Sequence, residues 1–229
     1  MKILLVANLA GGVGKTTLTH ALATAASEYG KKTLAIDADP DAALTFLSGI
    51  ENPRFTTAEV AVDPGKIDGT IVKTVDRFSL IPSASRLIEF ERFSEKFKDA
   101  LSDYEFVVID SASGPNRILP QLLPLADRVL VPTDGTMLSV RGALHIRRFL
   151  SEDKGNPKIN LVTNKKQSEI GLSQVKSDME FVETEIRFDE KVMLSQFTNR
   201  SVLTEYPQSE FASDIRELTY SLLEDFSII

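Results

Sequence analysis

NLAGGVGKTT, residues 8–17 of this 229-residue chain, is a glycine-rich segment between two regular patterns. The apolar run Ile3–Ala7 precedes it, and helical periodicity from Lys15 to Tyr29, closed by Gly30, follows it. A continuously apolar run is typical of a parallel strand buried on both faces, and a glycine past the last periodic residue is typical of a helix end. The sequence therefore predicts a strand, a tight loop and a helix in direct succession.

Phosphate binding is the chemistry that such a loop predicts. The amino terminus of a helix presents free backbone amides, and glycine lets them approach phosphate oxygens without a side-chain clash. Lys15 is placed to reach the β- and γ-phosphates of a nucleotide, and the Thr16 hydroxyl to ligate Mg²⁺. The predicted phosphate-binding residues are Gly11, Gly12, Val13, Gly14, Lys15, Thr16 and Thr17.

The loop departs from the most common phosphate-loop pattern. G-x-x-x-x-G-K-[ST] requires a glycine at position 9, where this chain has Leu9. A second pattern, G-G-x-G-K-T-T placed directly after an apolar strand, fits residues 11–17 in every position. The alternative is a glycine-rich turn that binds nothing.

Length and composition narrow the classes of protein. A chain of 229 residues without a low-complexity tract suits one α/β domain, residues 1–229. No apolar run approaches the roughly 20 residues of a membrane span, and no basic-then-apolar signal begins the chain, so we expect a soluble, cytoplasmic protein. There is no cysteine, which excludes thiolate-ligated clusters. The net charge of −7 means that any DNA contact requires a local basic patch.

Strand-like and helical patterns alternate along the chain. Five further apolar runs read as buried strands: 33–36, 78–81, 106–109, 129–131 and 159–162. Helical periodicity covers residues 85–101, 139–150 and 213–226. This order predicts an α/β fold, a mostly parallel twisted sheet with helices on both faces, in which ligands bind at the carboxyl ends of the strands.

Carboxylates follow two of the predicted strands. Asp37, Asp39 and Asp41 come directly after the second strand, and Asp110 follows a later one. A magnesium–triphosphate site needs carboxylates for metal-bound water and for positioning the attacking water. Asp37 and Asp39 are candidates for these tasks, Asp110 is the candidate metal-facing acid, and Asp41 reads as a turn residue. The small residues 111–115 suit a segment that senses the γ-phosphate, the alternative being an ordinary loop.

The segment TNKKQ, residues 163–167, follows the strand 159–162 and is the predicted binding segment for the nucleotide base. It is similar to the guanine-reading pattern N-K-x-D, but Gln167 stands where that pattern has its aspartate. Guanine specificity is therefore not supported. Asn164 offers a donor and an acceptor for an adenine edge, and ATP is the predicted nucleotide.

The motifs taken together resemble the ParA/MinD family of deviant P-loop ATPases. The resemblance is carried by G-G-V-G-K-T-T at 11–17, I-D-A-D-P at 36–40, V-I-D at 108–110 and V-P at 131–132. The segment SVLTEYPQSEFA, residues 201–212, is similar to the carboxyl end of ParA partition proteins, so the resemblance covers nearly the whole chain.

This resemblance implies an ATPase that forms an ATP-bound sandwich homodimer, binds DNA non-specifically and positions a cargo over the nucleoid. Hydrolysis would be stimulated by a small cargo-adaptor protein of the ParB or McdB type. The positions of this chain that match the family imply Lys15 and Asp39 as catalytic residues. They also imply Thr16, Asp37 and Asp110 at Mg²⁺, and Asn164 at the base.

Ala10 is the departure from the family pattern. The family's signature lysine lies immediately before Gly-Gly and reaches across the dimer, whereas this chain has a methyl group there. A cation in trans can contribute roughly 10³- to 10⁵-fold in rate. Either ATP-driven dimerisation is weak, or another cation takes the lysine's place. The helix that borders the dimer interface in this family, and the residues after it, offer such cations, of which we favour Lys154 as a nucleotide contact. The other candidates are Arg141, Arg147 and Arg148. In lacking this lysine, the chain is similar to some members of the carboxysome-positioning McdA branch.

DNA binding is predicted to come from the carboxyl-terminal region, where ParA-like proteins carry basic residues. Arg187, Lys191 and Arg200 lie there, with Asp189 and Glu190 between them. We therefore expect weak, salt-dependent and sequence-independent binding. The last helical pattern, 213–226, is more acidic than basic, which argues against an anionic membrane and predicts that its apolar side is core.

Two other functions fit the same fold. One is an ATP-dependent metabolic ligase of the dethiobiotin-synthetase type, which would need a substrate pocket beside the γ-phosphate and no protein partner. The other is a nucleotide-gated binding module with negligible hydrolysis, which the absence of a lysine at position 10 makes credible.

Overall fold

The computed structural model describes residues 1–89, 92–149, 157–166 and 179–229. Its strands are β1 Lys2–Val6, β2 Thr33–Ala38, β3 Val72–Lys73, β4 Ser79–Ile81, β5 Phe106–Ser111, β6 Arg128–Thr133, β7 Lys158–Thr163 and β8 Glu180–Phe181. Its α-helices are α1 Lys15–Glu28, α2 Ala43–Leu47, α3 Thr57–Val62, α4 Ile67–Thr70, α5 Leu119–Leu122, α6 Met137–Phe149, α7 Lys191–Ser195, α8 Val202–Glu205 and α9 Glu210–Asp225.

The eight strands form one sheet in the order β3-β4-β2-β5-β1-β6-β7-β8. All neighbouring pairs are parallel except β3 and β4, so the predicted mostly parallel sheet is confirmed. The six strands predicted from apolar runs are all present. Since β1 lies between β5 and β6, the loop that leaves β1 emerges at the centre of the sheet's carboxyl edge.

Apolar residues cover both faces of the sheet, as continuous apolar strands require. In β1, Ile3 and Leu5 join the core on one face, while Leu4 and Val6 join the core on the other. Helices α1 and α9 pack on the second face, where the apolar side of α9 is buried. The prediction that this last helix belongs to the core is therefore confirmed.

The prediction of a helix over residues 85–101 is wrong. The described part of this stretch holds two short 3₁₀ turns, Ser85–Glu89 and Asp99–Leu101. Its backbone pairs with neighbouring segments instead, since the Phe93 amide donates to the Gln121 side chain and the Ser94 amide to Ala61 O. The apolar spacing that suggested a helix serves burial of Phe93 and Phe97, whose rings meet edge to face at 4.8 Å.

Candidate functional site

A cavity of about 310 Å³ opens at the carboxyl edge of the sheet. One wall is the predicted phosphate loop with the residues that follow β2, β5 and β7: Gly12, Gly14, Lys15, Thr16, Thr17, Asp39, Ser113, Asn164 and Lys165. The other wall comes from residues around α7 and from α9: Arg187, Phe188, Asp189, Val192, Met193, Gln196 and Phe211. A volume of this size suits a small molecule.

Helix α1 points its amino terminus into the cavity. Gly14 precedes it with φ +91° and gives it no side-chain cap, so the amides of its first turn lack a side-chain acceptor. A Cβ atom at Gly14 would lie 2.4 Å from Asn164 Nδ2, so only glycine fits at this position. Free amides at a helix amino terminus attract anions, as the sequence predicts for this loop.

The Lys15 ammonium is held at the mouth of the loop by neutral oxygens. Lys15 Nζ donates to Ser113 Oγ at 2.7 Å and to Ala10 O at 3.2 Å. Burial lowers the pKa of Lys15, and the charges of Asp110 and Asp39 oppose that effect. Because its two partners are neutral, this charge is still available to an anionic ligand.

Asp37 and Asp110 lie side by side on β2 and β5, and both are fully buried. Asp37 accepts hydrogen bonds from the Thr45 amide (2.8 Å), the Thr45 hydroxyl (2.7 Å) and the Asp39 amide (3.1 Å). Burial raises its pKa to about 6 despite these bonds. Both Asp37 oxygens are thus engaged in holding the loop that follows β2.

Asp110 differs because one of its oxygens is unused. Burial, followed by the charge of Asp37, raises the Asp110 pKa well above its usual value. Thr19 Oγ1 lies 3.4 Å from Asp110 Oδ1, but Oδ2 has no hydrogen-bond partner. A buried, unpartnered carboxylate oxygen suits an outer contact to a cation. Among the described residues no cluster of three or more acidic or histidine side chains could hold a metal alone.

Asp39 lines the cavity and is half-buried. Burial raises its pKa, although Asp39 Oδ1 accepts a hydrogen bond of 2.9 Å from the Asp41 amide. Asp41 itself is exposed in the turn, as its sequence context suggests. Asp39 is therefore the carboxylate beside Lys15 that a bound ligand can reach.

Asn164 is buried against the back of the loop, and its Nδ2 donates to Val13 O at 2.7 Å. Its Oδ1 is buried and unpartnered. The neighbouring Lys165 donates from Nζ to Gly12 O at 2.6 Å. The predicted base contact thus has only its acceptor oxygen free.

Asn8 was not predicted from the sequence, yet it positions the loop. It is fully buried, and its Nδ2 donates to Pro132 O (2.8 Å) and Ser139 O (3.0 Å), while its Oδ1 accepts from the Ala10 amide (2.9 Å). These bonds join the start of α6 to the loop. The signal in the sequence that could have indicated this role is the position of Asn8, a polar residue directly after a buried strand.

Gly142→Ala should destabilise the protein because α6 passes too close to the loop for a side chain. A Cβ atom there would lie 2.1 Å from Asn8 Oδ1 and 2.9 Å from the Ala10 amide nitrogen. Glycine to alanine usually stabilises a helix interior by about 1 kcal/mol, but overpacking costs about 1–3 kcal/mol. We expect a net loss of stability in urea unfolding. Gly69→Ala in α4, where a Cβ atom has open space around it, should instead leave the stability unchanged or raise it slightly. Equal stability of both variants would contradict this packing.

The cations proposed to replace the signature lysine differ in their exposure to solvent. Arg141 and Arg148 are exposed on α6, Arg147 is partly buried, and none of the three has an ion pair in the described part of the chain. Lys154 lies outside the described residues, as does Gln167.

The basic patch predicted for DNA is smaller than expected. Arg187 bonds to Asp214 through Nη2 at 2.7 Å and to Glu210 through Nη1 at 2.8 Å. Arg200 pairs with Glu205 at 3.3 Å, which leaves Lys191 as the exposed cation of the three without an ion pair in the described ranges. These acidic neighbours, distant in sequence from Arg187, were not foreseen. None of the described helices is long and apolar enough to cross a membrane.

A central parallel sheet, a glycine-rich loop at a helix amino terminus and buried acids beside it define a P-loop nucleotide-binding protein. Residues 1–163 match the AAA domain family. The chromosome partitioning protein ParA of Caulobacter vibrioides is 30% identical over 179 residues, 70% of this chain and 67% of that protein. The chain belongs to the ParA/MinD family of P-loop ATPases, which confirms the resemblance seen in its motifs.

Other proteins are similar to nearly the whole chain, one in sequence and two in structure. An uncharacterised ATP-binding protein of Methanocaldococcus jannaschii is 28% identical over 222 residues, 92% of this chain and 83% of that protein. Cobyrinic acid a,c-diamide synthase of Mycobacterium smegmatis, solved with ADP and magnesium, has a TM-score of 0.79 at 22% identity, covering 99% and 96% of the two chains. Apo McdA of Cyanothece has a TM-score of 0.78 at 22% identity, covering 96% and 99%.

Proposed function

We propose that the chain is a ParA-type ATPase that dimerises on ATP, binds DNA non-specifically and positions a cargo over the nucleoid. The observation that carries the proposal is the Lys15 ammonium, held on neutral oxygens beside free helix amides in a cavity that also contains Asp39. A small adaptor of the ParB or McdB type would bring the cargo and stimulate hydrolysis.

The cavity suits ATP with Mg²⁺. Loop amides and Lys15 would bind the phosphates. The Thr16 hydroxyl and the unpartnered Asp110 oxygen would hold the metal, with Asp37 as the other acid on the metal side. Asp37 also holds the neighbouring loop through Thr45. Bound Mg²⁺ would neutralise charge on the β- and γ-phosphates. Asp39 positions the attacking water. Phe188, Val192 and Met193, which the sequence did not single out, form an apolar wall for the base beside Asn164.

The dimer interface in this proposal includes α6 and the loop before it. Ala10 provides no charge there, so either ATP-driven dimerisation is weak or a cation from α6 or from the residues beyond it takes the lysine's place. Arg141 is exposed and has no ion pair among the described residues. Lys154 stays the favoured contact to the partner's nucleotide.

Sedimentation velocity tests this function in three states, with Mg²⁺ and a non-hydrolysed ATP analogue, with Mg²⁺ and ADP, and without nucleotide. We expect a dimer only with the triphosphate analogue. Duplex DNA added to that dimer should bind with an affinity that falls as salt rises, because phosphate contacts release counterions.

The same experiment separates the other functions. A metabolic ligase is the second candidate, because the fold is also that of a diamide synthase. A monomer in all three states that consumes ATP only with a small carboxylic acid would replace our proposal with that activity. A dimer that never hydrolyses ATP, even with DNA present, would indicate a nucleotide-gated binding module.

A further inference from the structure

Two adjacent side chains at the end of β7 hold two adjacent carbonyls of the phosphate loop. Asn164 Nδ2 donates to Val13 O at 2.7 Å, and Lys165 Nζ donates to Gly12 O at 2.6 Å. Both bonds join segments about 150 residues apart in sequence, so they depend on the packing of β7 beside the loop.

Because peptide bonds are planar, these two carbonyl contacts also set the direction of the Val13 and Gly14 amides. A planar trans peptide directs its carbonyl oxygen and its amide hydrogen in opposite directions. The Gly12 carbonyl shares a peptide with the Val13 amide, and the Val13 carbonyl shares one with the Gly14 amide. Holding both oxygens toward β7 therefore turns both amide hydrogens away from β7. Within the described residues neither amide has a hydrogen-bond acceptor, so both are free for an anion.

The chain reaches this arrangement through an uncommon backbone conformation. Lys165 has φ +58°, in the left-handed region that few residues other than glycine adopt. Along a regular strand successive side chains point to opposite faces. The left-handed turn at Lys165 ends that alternation, and the side chains of Asn164 and Lys165 both reach the loop.

Lys166 has none of these contacts. Its Nζ pairs with Glu185, and its amide donates to Ile186 O at 2.9 Å. It is a lysine at the next position, partly exposed, that makes no hydrogen bond to the loop. It is therefore the matched control for Lys165.

We propose that Asn164 and Lys165 form a carbonyl clamp that holds the loop in its phosphate-binding conformation before nucleotide arrives. Lys165 is the exposed half of the clamp and adds a positive charge beside a loop that has Ala10 where a lysine is expected. Lys165 is thus a positioning residue for the nucleotide phosphates. The inference rests on the proposed nucleotide-binding function.

Lys165→Met tests the clamp, because methionine keeps an unbranched apolar stem and loses the ammonium. We expect calorimetry to show that the affinities for Mg-ADP and for a non-hydrolysed Mg-ATP analogue fall roughly three- to tenfold, as for a charged hydrogen bond weakened by exposure. Lys166→Met should leave both affinities unchanged. Lys165→Arg should restore most of the loss, because it keeps a charged donor.

Hydrogen–deuterium exchange without nucleotide reads the clamp directly. A peptide covering residues 8–17 should exchange faster in Lys165→Met than in the wild type or in Lys166→Met. Unchanged exchange would overturn the clamp, even if affinity falls through lost charge alone. Faster exchange with unchanged affinity would show that binding does not need the held loop. If the wild type binds no nucleotide, the proposed function fails, while the exchange comparison still decides whether Lys165 holds the loop.

Discussion

Lys15→Ala should raise the dissociation constant for a non-hydrolysed Mg-ATP analogue by about a hundredfold or more. A unit charge about 4 Å from a phosphate contributes about 4 kcal/mol at an effective dielectric constant near 20, and 1.4 kcal/mol corresponds to tenfold. Lys15 is the buried cation of the cavity, and its partners Ser113 Oγ and Ala10 O are neutral. The triphosphate therefore loses its principal positive charge.

The control for this variant is Lys66→Ala, which removes an exposed lysine paired with Asp63 at 3.8 Å. Its affinity should match that of the wild type in the same titration. Lys15→Ala should also lose nucleotide-dependent dimerisation. Wild-type affinity and an intact dimer in this variant would refute the role assigned to the loop.

Asp39→Ala should slow ATP hydrolysis by roughly a hundredfold or more while ATP still binds. A group that positions or deprotonates the attacking water contributes about 10²- to 10⁴-fold in rate. Asp39 lies in the cavity, and burial raises its pKa above the usual value of an aspartate. Single-turnover hydrolysis and calorimetry on the same variant separate the rate from the affinity.

Asp41→Ala is the matched control, since Asp41 is an exposed carboxylate two residues away. Its turnover should stay near that of the wild type. If Asp39→Ala hydrolyses ATP at the wild-type rate, Asp39 has no part in the mechanism.

The fold followed from the sequence wherever local pattern and burial agree. A continuously apolar strand such as β1 is required when both faces of a sheet are covered. The loop from Gly11 to Thr17 is recognisable because the positive φ angles at Gly12 and Gly14 favour glycine. The helix predicted over residues 85–101 is absent from the described part of that stretch. Short turns whose amides donate to other segments can bury apolar side chains of the same spacing.

The parts of the site that were missed depend on contacts between distant segments. Asn8 contacts α6 through Ser139 O, and Lys165 contacts Gly12 O, in each case across more than 120 residues of sequence. Arg187 was predicted to contribute a positive charge to DNA binding, but it forms ion pairs with Asp214 and Glu210 of α9. No periodicity encodes such pairs, because they arise only when strands and helices pack together.

A calorimetric titration of the wild-type chain with a non-hydrolysed ATP analogue and Mg²⁺ tests the central claim most directly. The loop, Lys15 and the unpartnered Asp110 oxygen predict one site per chain whose affinity is lost when adenosine replaces the triphosphate. No binding of the analogue, or equal binding of adenosine, would contradict the assignment of this cavity as a phosphate site.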